Sequence, residues 1–127
     1  MSKKRAKSSS AADEQSSRRL HILPTENPDD ETCMSFSFDD EDHTLGNALR
    51  YVMTKNPQTT FVGYTVPHPF ERKISVRIQT NDTPAIDVLA KGLRDLEEAS
   101  QHVLDTFEKS LDRFRSMQPD TGYMDTE

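Results

Sequence analysis

The residues of this sequence that could carry out chemistry lie close together in the first third of the chain. An acidic run, Asp39-Asp40-Glu41-Asp42, is followed directly by His43, and carboxylates beside a histidine are potential metal ligands. The run fails the pattern of a calcium-binding loop, because no register supplies both the central glycine and the terminal glutamate. Acids before a helix are explained by the helix dipole, and one of them can serve as its cap. We therefore predict no metal site here.

Cys33 is the only cysteine, and a distant histidine could in principle make it a nucleophile. It lies in an alternation of serine and phenylalanine with no activating group nearby, and the four histidines are scattered along the chain. The four glycines form no loop that could cradle a phosphate. We therefore predict no catalytic residue and no cofactor.

The charge is distributed unevenly along the chain, whose net charge is −6. Residues 44–80 carry five basic residues and one acid, whereas residues 81–115 have a net charge of −3. The predicted folded part has no strong basic field, which disfavours a nucleic-acid-binding module. The basic segment at residues 3–7 is either a nuclear import signal or part of a solvated tail. No apolar run is long enough to span a membrane.

Hydrophobic periodicity predicts four strands and two helices. Residues 18–23, 33–38, 61–66 and 72–79 read as strands, and residues 44–55 and 85–115 read as helices. Short connections between amphipathic strands favour an antiparallel sheet with both helices on its apolar face. The predicted fold class is therefore α+β, a two-layer sandwich. It occupies residues 18–115, between a disordered basic, serine-rich tail (residues 1–17) and a polar C-terminal tail (residues 116–127).

The second predicted helix is too long for this sheet. Thr83 is a plausible N-cap with Pro84 in the first helical position, and no proline interrupts residues 85–115. The helix would be about 48 Å long, whereas a strand of seven or eight residues spans about 26 Å. Its apolar stripe therefore continues beyond the sheet, through Val103, Leu104, Phe107, Leu111 and Phe114. Nothing else in so short a chain looks able to cover these side chains.

The first predicted helix opens with an unusual block, His43-Thr44-Leu45-Gly46-Asn47. Glycine within a helix costs about 1 kcal/mol relative to alanine, so Gly46 and Gly92 both suggest close approach of another backbone. We interpret them as helix-crossing points, either within the chain or between chains. Asn47 favours a specific hydrogen bond, since asparagine otherwise prefers turns.

This block resembles the small alpha-like subunits of cellular RNA polymerases, a family that includes archaeal subunit L and the dimerising part of the bacterial alpha subunit. Further matches are Leu49-Arg50, Gly63-Tyr64, Pro67-His68-Pro69 and Ile78-Gln79-Thr80. Within that family, residues 47–53 and 55–57 resemble the members shared by RNA polymerases I and III. The resemblance covers about residues 18–115, so it implies nothing about either tail.

The resemblance implies a non-catalytic core subunit that forms a heterodimer with a larger alpha-like subunit. That pair would seed assembly and support the large catalytic subunits in nuclear, including nucleolar, synthesis of rRNA, 5S rRNA and tRNA. It implies no direct sequence-specific contact with nucleic acid and no membrane. The expected partner-binding residues are His43, Thr44, Leu45, Gly46, Asn47, Leu49, Arg50, Val52, Leu93, Leu96, Val103, Phe107 and Leu111.

Three other functions remain open from the sequence. The chain could be the polymerase II paralogue of the same family, or a stand-alone nucleic-acid-binding module. It could also be a small enzyme that uses Cys33, or His43 with the acidic run.

Overall fold

The structure is a computed structural model that describes residues 18–119. Its elements in chain order are strand β1 (Leu20–Ile22), strand β2 (Cys33–Asp39), helix α1 (His43–Thr54), strand β3 (Thr59–Thr65), strand β4 (Lys73–Thr80) and helix α2 (Ala85–Met117). The strands form one antiparallel sheet in the order β1-β2-β4-β3. The predicted α+β class and element order are confirmed. Within residues 18–119, neither helix is long and apolar enough to cross a membrane.

The core lies between the sheet and the two helices. Alternate residues of the central strands point towards the helices, so Phe36 lies opposite Val76 and Phe38 lies opposite Ile74 in the β2–β4 register. The remaining buried apolar residues come from β4 and from both helices; they are Ile78, Leu49, Met53, Ala85, Val88 and Leu89. All these side chains are at most 7% exposed, so the chain has a closed core of its own.

The helices do not cover the sheet evenly. Helix α1 packs on β3 and β4, while the first half of α2 packs on β4 and β2. No helix covers β1 in the part of the chain described, and Leu20 and Ile22 on its inner side are 39% and 57% exposed. Of the two edges of the sheet, β1 is therefore the shorter and the less protected by the helices.

The two helices cross at Gly92. A Cβ atom at this position would lie 2.5 Å from Cγ of Met53, and 3.6 Å from Cδ1 of Leu49. The missing side chain therefore lets α2 approach α1 within the same chain. The sequence left open whether Gly92 marks a helix crossing within the chain or between chains. The structure shows a crossing within the chain.

The start of α2 differs from its prediction. Pro84 occupies the N-cap position without a capping side chain, and Thr83 instead donates a hydrogen bond to the Gln58 side chain at 3.1 Å. The N–H of Ala85 donates to the carbonyl oxygen of Glu31 at 2.7 Å, so a neighbouring loop caps the helix. At its other end α2 continues to Met117, two residues beyond the predicted end.

Ser37 is also an exception to the expected alternation. Its place on the outer face of β2 predicts exposure, yet its side chain is only 2% exposed. His21 and Ser75 flank it on the two neighbouring strands, and a side chain as short as serine does not project beyond them. Ser37 therefore lies on the outer face of the sheet as predicted, but its short side chain is shielded by its neighbours from solvent.

We predict that Gly92→Val lowers the free energy of unfolding by about 1–3 kcal/mol, the usual cost of overpacking a core. The new side chain would collide with Met53, which is 1% exposed and would be met at Cγ rather than at the flexible end of its side chain. Denaturant unfolding measures the change. Glu98→Val is the matched control, because Glu98 lies in the same helix and is exposed. Equal losses for the two variants would contradict the crossing-point assignment.

Candidate dimerisation surface

The acidic run before α1 caps the helix and ties it to β1. The Asp42 side chain accepts a hydrogen bond from the Thr44 backbone N–H at 2.9 Å, as expected for an N-cap. Hydrogen bonds from the backbone and side chain of Thr44 hold the pKa of Asp42 below its usual range. Glu41 pairs with Arg19 at 3.0 Å, and Asp39 contacts His21 at 3.0 Å. The carboxylates therefore point to different partners, and within residues 18–119 no three potential ligands converge on a metal position.

The first turn of α1 is fastened to β3 through Tyr64. Nδ1 of His43 and the hydroxyl of Tyr64 share a hydrogen bond of 2.8 Å, and their rings meet edge to face with centroids 5.6 Å apart. Gly46 lies directly against the same ring, since a Cβ atom there would be 2.6 Å from Cδ2 of Tyr64. Gly46 is therefore a point of close approach, but its neighbour is an aromatic side chain of β3 in the same chain. The prediction of a helix crossing at this glycine was wrong.

A groove of about 710 Å³ separates the outer sides of the two helices. Helix α1 contributes most of the polar side chains together with Ala48 and Val52, and α2 contributes mainly apolar and small side chains. The groove is lined by His43, Thr44, Asn47, Ala48, Arg50, Tyr51, Val52, Leu96, Ala99, Ser100 and Val103. A second helix would bury apolar surface in such a groove and place polar groups at its rim.

Beyond the groove, the apolar stripe of α2 is exposed to solvent. Val103 is 66% exposed, Phe107 61% and Phe114 58%, and every residue from 97 to 118 is exposed except Leu111, which is half-buried. Burying a large apolar side chain is normally worth about 1.5–3 kcal/mol, so this stripe is costly for an isolated chain. An apolar patch of this kind marks an interaction surface.

The predicted partner-binding residues separate into four groups. Seven of them line the groove, namely His43, Thr44, Asn47, Arg50, Val52, Leu96 and Val103. Phe107 and Leu111 lie farther along α2, while Leu45 and Leu93 are partly buried against the core. Gly46 and Leu49 are buried within the chain itself, Leu49 completely, on the side of α1 that faces the sheet and α2. Their direct contact with a partner stays a prediction.

The sequence reasoning missed two exposed residues that the structure adds to this surface. Tyr51 is 63% exposed in the groove, with Nζ of Lys55 4.7 Å from its ring centroid. Its position four residues after Asn47 was the available signal, because that spacing places the two on one helix face. Met117, which is 75% exposed, extends the stripe by one more residue. It was missed because the predicted helix ended at residue 115.

The region that carries this surface matches a known protein family. Residues 33–106 match the model of the RNA polymerase Rpb3/Rpb11 dimerisation domain. The chain belongs to this family. The matched region includes α1, the whole groove and the first two thirds of α2, so the family's dimerisation domain contains the groove and the start of the exposed stripe.

Individual relatives agree with this assignment. The chain is 47% identical over 106 residues to the DNA-directed RNA polymerases I and III subunit RPAC2 of Schizosaccharomyces pombe, spanning 83% of this chain and 84% of that protein. It is 48% identical over 82 residues to the DNA-directed RNA polymerases I and III subunit rpc19 of Dictyostelium discoideum, spanning 64% and 71%. The fold is similar to that of RNA polymerase subunit L from Thermoplasma acidophilum, with a TM-score of 0.63, 17% identity and coverage of 79% and 95%.

We predict that Asp42→Ala destabilises the domain at neutral pH, and that this difference shrinks under acid conditions. Because the pKa of Asp42 is lowered in the folded state, its contribution is present above the unfolded-state pKa and is lost as the pH falls through the lowered pKa. Denaturant unfolding over a pH series measures both variants. Asp42→Asn is the control, since asparagine caps helices without a titrating charge. An Asp42→Ala difference that stays constant across the acid range would contradict the assignment.

Proposed function

We propose that the chain is a non-catalytic subunit of nuclear RNA polymerases I and III, and that it forms a heterodimer with the larger alpha-like subunit. The observation that carries this proposal is the exposed apolar stripe on α2, which continues from a groove inside the family's dimerisation domain. The relatives that span most of the chain are named as subunits of polymerases I and III, which favours this assignment over the polymerase II paralogue.

In the proposed heterodimer, helices of the partner pack in the groove and along the stripe. The apolar contacts would come from Val52 and Leu96 in the groove, and from Val103, Phe107 and Leu111 along α2. Each Å² of apolar surface removed from water contributes about 25 cal/mol. Association costs roughly 4–15 kcal/mol, so a stripe several side chains long is needed to exceed it. His43, Asn47 and Arg50 would set orientation at the polar end.

The role of this pair is architectural. It seeds assembly and supports the two large subunits, to which nucleotidyl transfer belongs, during synthesis of rRNA, 5S rRNA and tRNA. The proposed location is therefore the nucleus, including the nucleolus. Residues 3–7, the candidate import signal, lie outside the residues that the structure describes.

A stand-alone nucleic-acid-binding module is less well supported. The exposed stripe on α2 is apolar, and Arg50 is the one lysine or arginine among the residues that line the groove, whereas phosphate binding requires clustered lysine and arginine. The net charge of −3 over residues 81–115 also disfavours binding of this helix to nucleic acid. The heterodimer uses both features of α2, its length and its stripe.

We predict that Phe107→Asp lowers affinity for the larger alpha-like subunit by about 100-fold or more. A carboxylate buried in an apolar interface without a partner costs several kcal/mol, and each 1.4 kcal/mol is tenfold in affinity. Co-expression followed by co-purification, with titration of the purified subunits, measures the loss. Circular dichroism should show unchanged strand content, because Phe107 is 61% exposed and lies far along α2 from the core.

Lys109→Asp is the matched control. It places a carboxylate only two residues away, on the other side of α2, where side chains are exposed and polar. This variant should bind the partner as the wild type does. Normal binding by Phe107→Asp, or equal loss in both variants, would contradict the proposed interface.

A further inference from the structure

Strand β3 forms the long free edge of the sheet. The strand order β1-β2-β4-β3 leaves two edges, of which β1 has three residues and β3 has seven. Apart from its ladder with β4, β3 makes backbone hydrogen bonds within the described residues only at Thr59, whose N–H donates to Asn56. An edge strand offers a row of backbone donors and acceptors to any extended chain that comes beside it.

The hydrogen-bonding pattern shows which residues of β4 bond to which neighbour. The N–H of Thr80 donates to the carbonyl of Thr32 at 2.8 Å, and the N–H of Asp40 donates to the carbonyl of Arg72 at 2.8 Å. Antiparallel ladders alternate, so the even-numbered residues of β4 direct their backbone groups to β2. The odd-numbered residues therefore direct theirs to β3.

The same alternation assigns the backbone groups of β3. Gly63 lies opposite Arg77, and Phe61 lies opposite Gln79, both odd-numbered residues of β4, so Phe61 and Gly63 bond inwards. Val62 and Tyr64 consequently direct their N–H and C=O groups away from the sheet. Two donors and two acceptors are aligned along this edge for a further strand.

The edge lacks the usual protection against strand addition. Its sequence, Thr-Thr-Phe-Val-Gly-Tyr-Thr, contains no charge and no proline, and the register shift between Thr59 and Phe61 disturbs only its first residues. On the outer face of the sheet, Phe61 is 48% exposed, and its ring lies over Gly63, 3.1 Å from the position of a Cβ atom there. The outer-face side chains of an added strand could therefore pack against the Phe61 ring.

We propose that in the assembled polymerase an extended segment of another polymerase subunit adds to β3 as a fifth strand. It bonds to Val62 and Tyr64 through its backbone and packs an apolar side chain on Phe61. This inference rests on the proposed function for its setting, but it concerns the sheet edge rather than the helical surface. The segment is a short uncharged strand, because charged residues would gain nothing along an edge that carries none.

The remaining parts of this chain do not fit that description. Residues 1–17 contain four Lys or Arg and six Ser, with no β-branched or aromatic residue. Residues 120–127 contain three acids. Residues 1–17 therefore lack strand-forming side chains, and residues 120–127 carry a net charge of −3 that no basic residue of β3 would balance. A different polypeptide fits this edge better than either segment.

Residue-resolved hydrogen exchange tests the proposal. The amides of Val62 and Tyr64 should exchange rapidly in the heterodimer with the larger alpha-like subunit. They should become slower by about tenfold or more in the complete polymerase. Those of Phe61 and Gly63 should be slow in both, because they bond to β4. In parallel, Thr60→p-benzoylphenylalanine, at an exposed edge position, should cross-link to a segment of another subunit in the complete polymerase.

Val62→Pro and Val62→Ala form a matched pair of variants. Both lose side-chain packing, but only proline removes the outward N–H, a change that edge strands tolerate. Val62→Pro should bind the larger alpha-like subunit normally and enter the complete polymerase about tenfold less than Val62→Ala. A polymerase that forms with unprotected Val62 and Tyr64 amides, or a cross-link to a second copy of this chain, would overturn the inference. Failure to form any heterodimer would instead count against the proposed function.

Discussion

The structure depends on a mismatch of length between helix α2 and the sheet beneath it. At about 1.5 Å per residue, the 33 residues of α2 span about 50 Å, whereas the eight residues of β4 span about 27 Å. The first half of the helix closes the core through Ala85, Val88 and Leu89. The second half keeps the same apolar periodicity, but within residues 18–119 no other element packs on it. The helix thus contributes to one hydrophobic core within the chain, and in the proposed heterodimer it contributes to a second core with the partner.

Helix α1 forms one wall of the groove and is held in place by contacts within the chain. Asp42 caps its first turn, His43 bonds to the Tyr64 hydroxyl, and Gly46 lets the helix lie against the Tyr64 ring. At the other end, Gly92 lets α2 cross close to Met53. These contacts set the width of the groove, so the most distinctive residues of the sequence act mainly within the chain and shape the surface indirectly.

The sequence allowed the fold to be predicted because period-two strands and a period-3.6 stripe are strong local signals, and because Pro57 and Pro84 limit the helices. It also located the exposed end of α2, since Val103, Phe107 and Phe114 lie beyond any strand length the chain could supply. It did not show that Gly46 and Leu49 face the sheet and α2 of the same chain, because periodicity places residues on an apolar face without saying whether the sheet or a partner lies opposite. The loop carbonyl of Glu31 that caps α2, and the direction of the backbone groups of Val62 and Tyr64, depend on tertiary pairing that no local pattern encodes.

In the proposed heterodimer, residues 99–117 of α2 become covered only when the partner binds. Peptide-level hydrogen exchange can compare this segment between the isolated chain and its heterodimer with the larger alpha-like subunit. We expect rapid exchange in the isolated chain, because few contacts hold this half of the helix, and strong protection in the heterodimer. Equally slow exchange in a monomeric isolated chain would contradict it, since the stripe would then be buried without a partner.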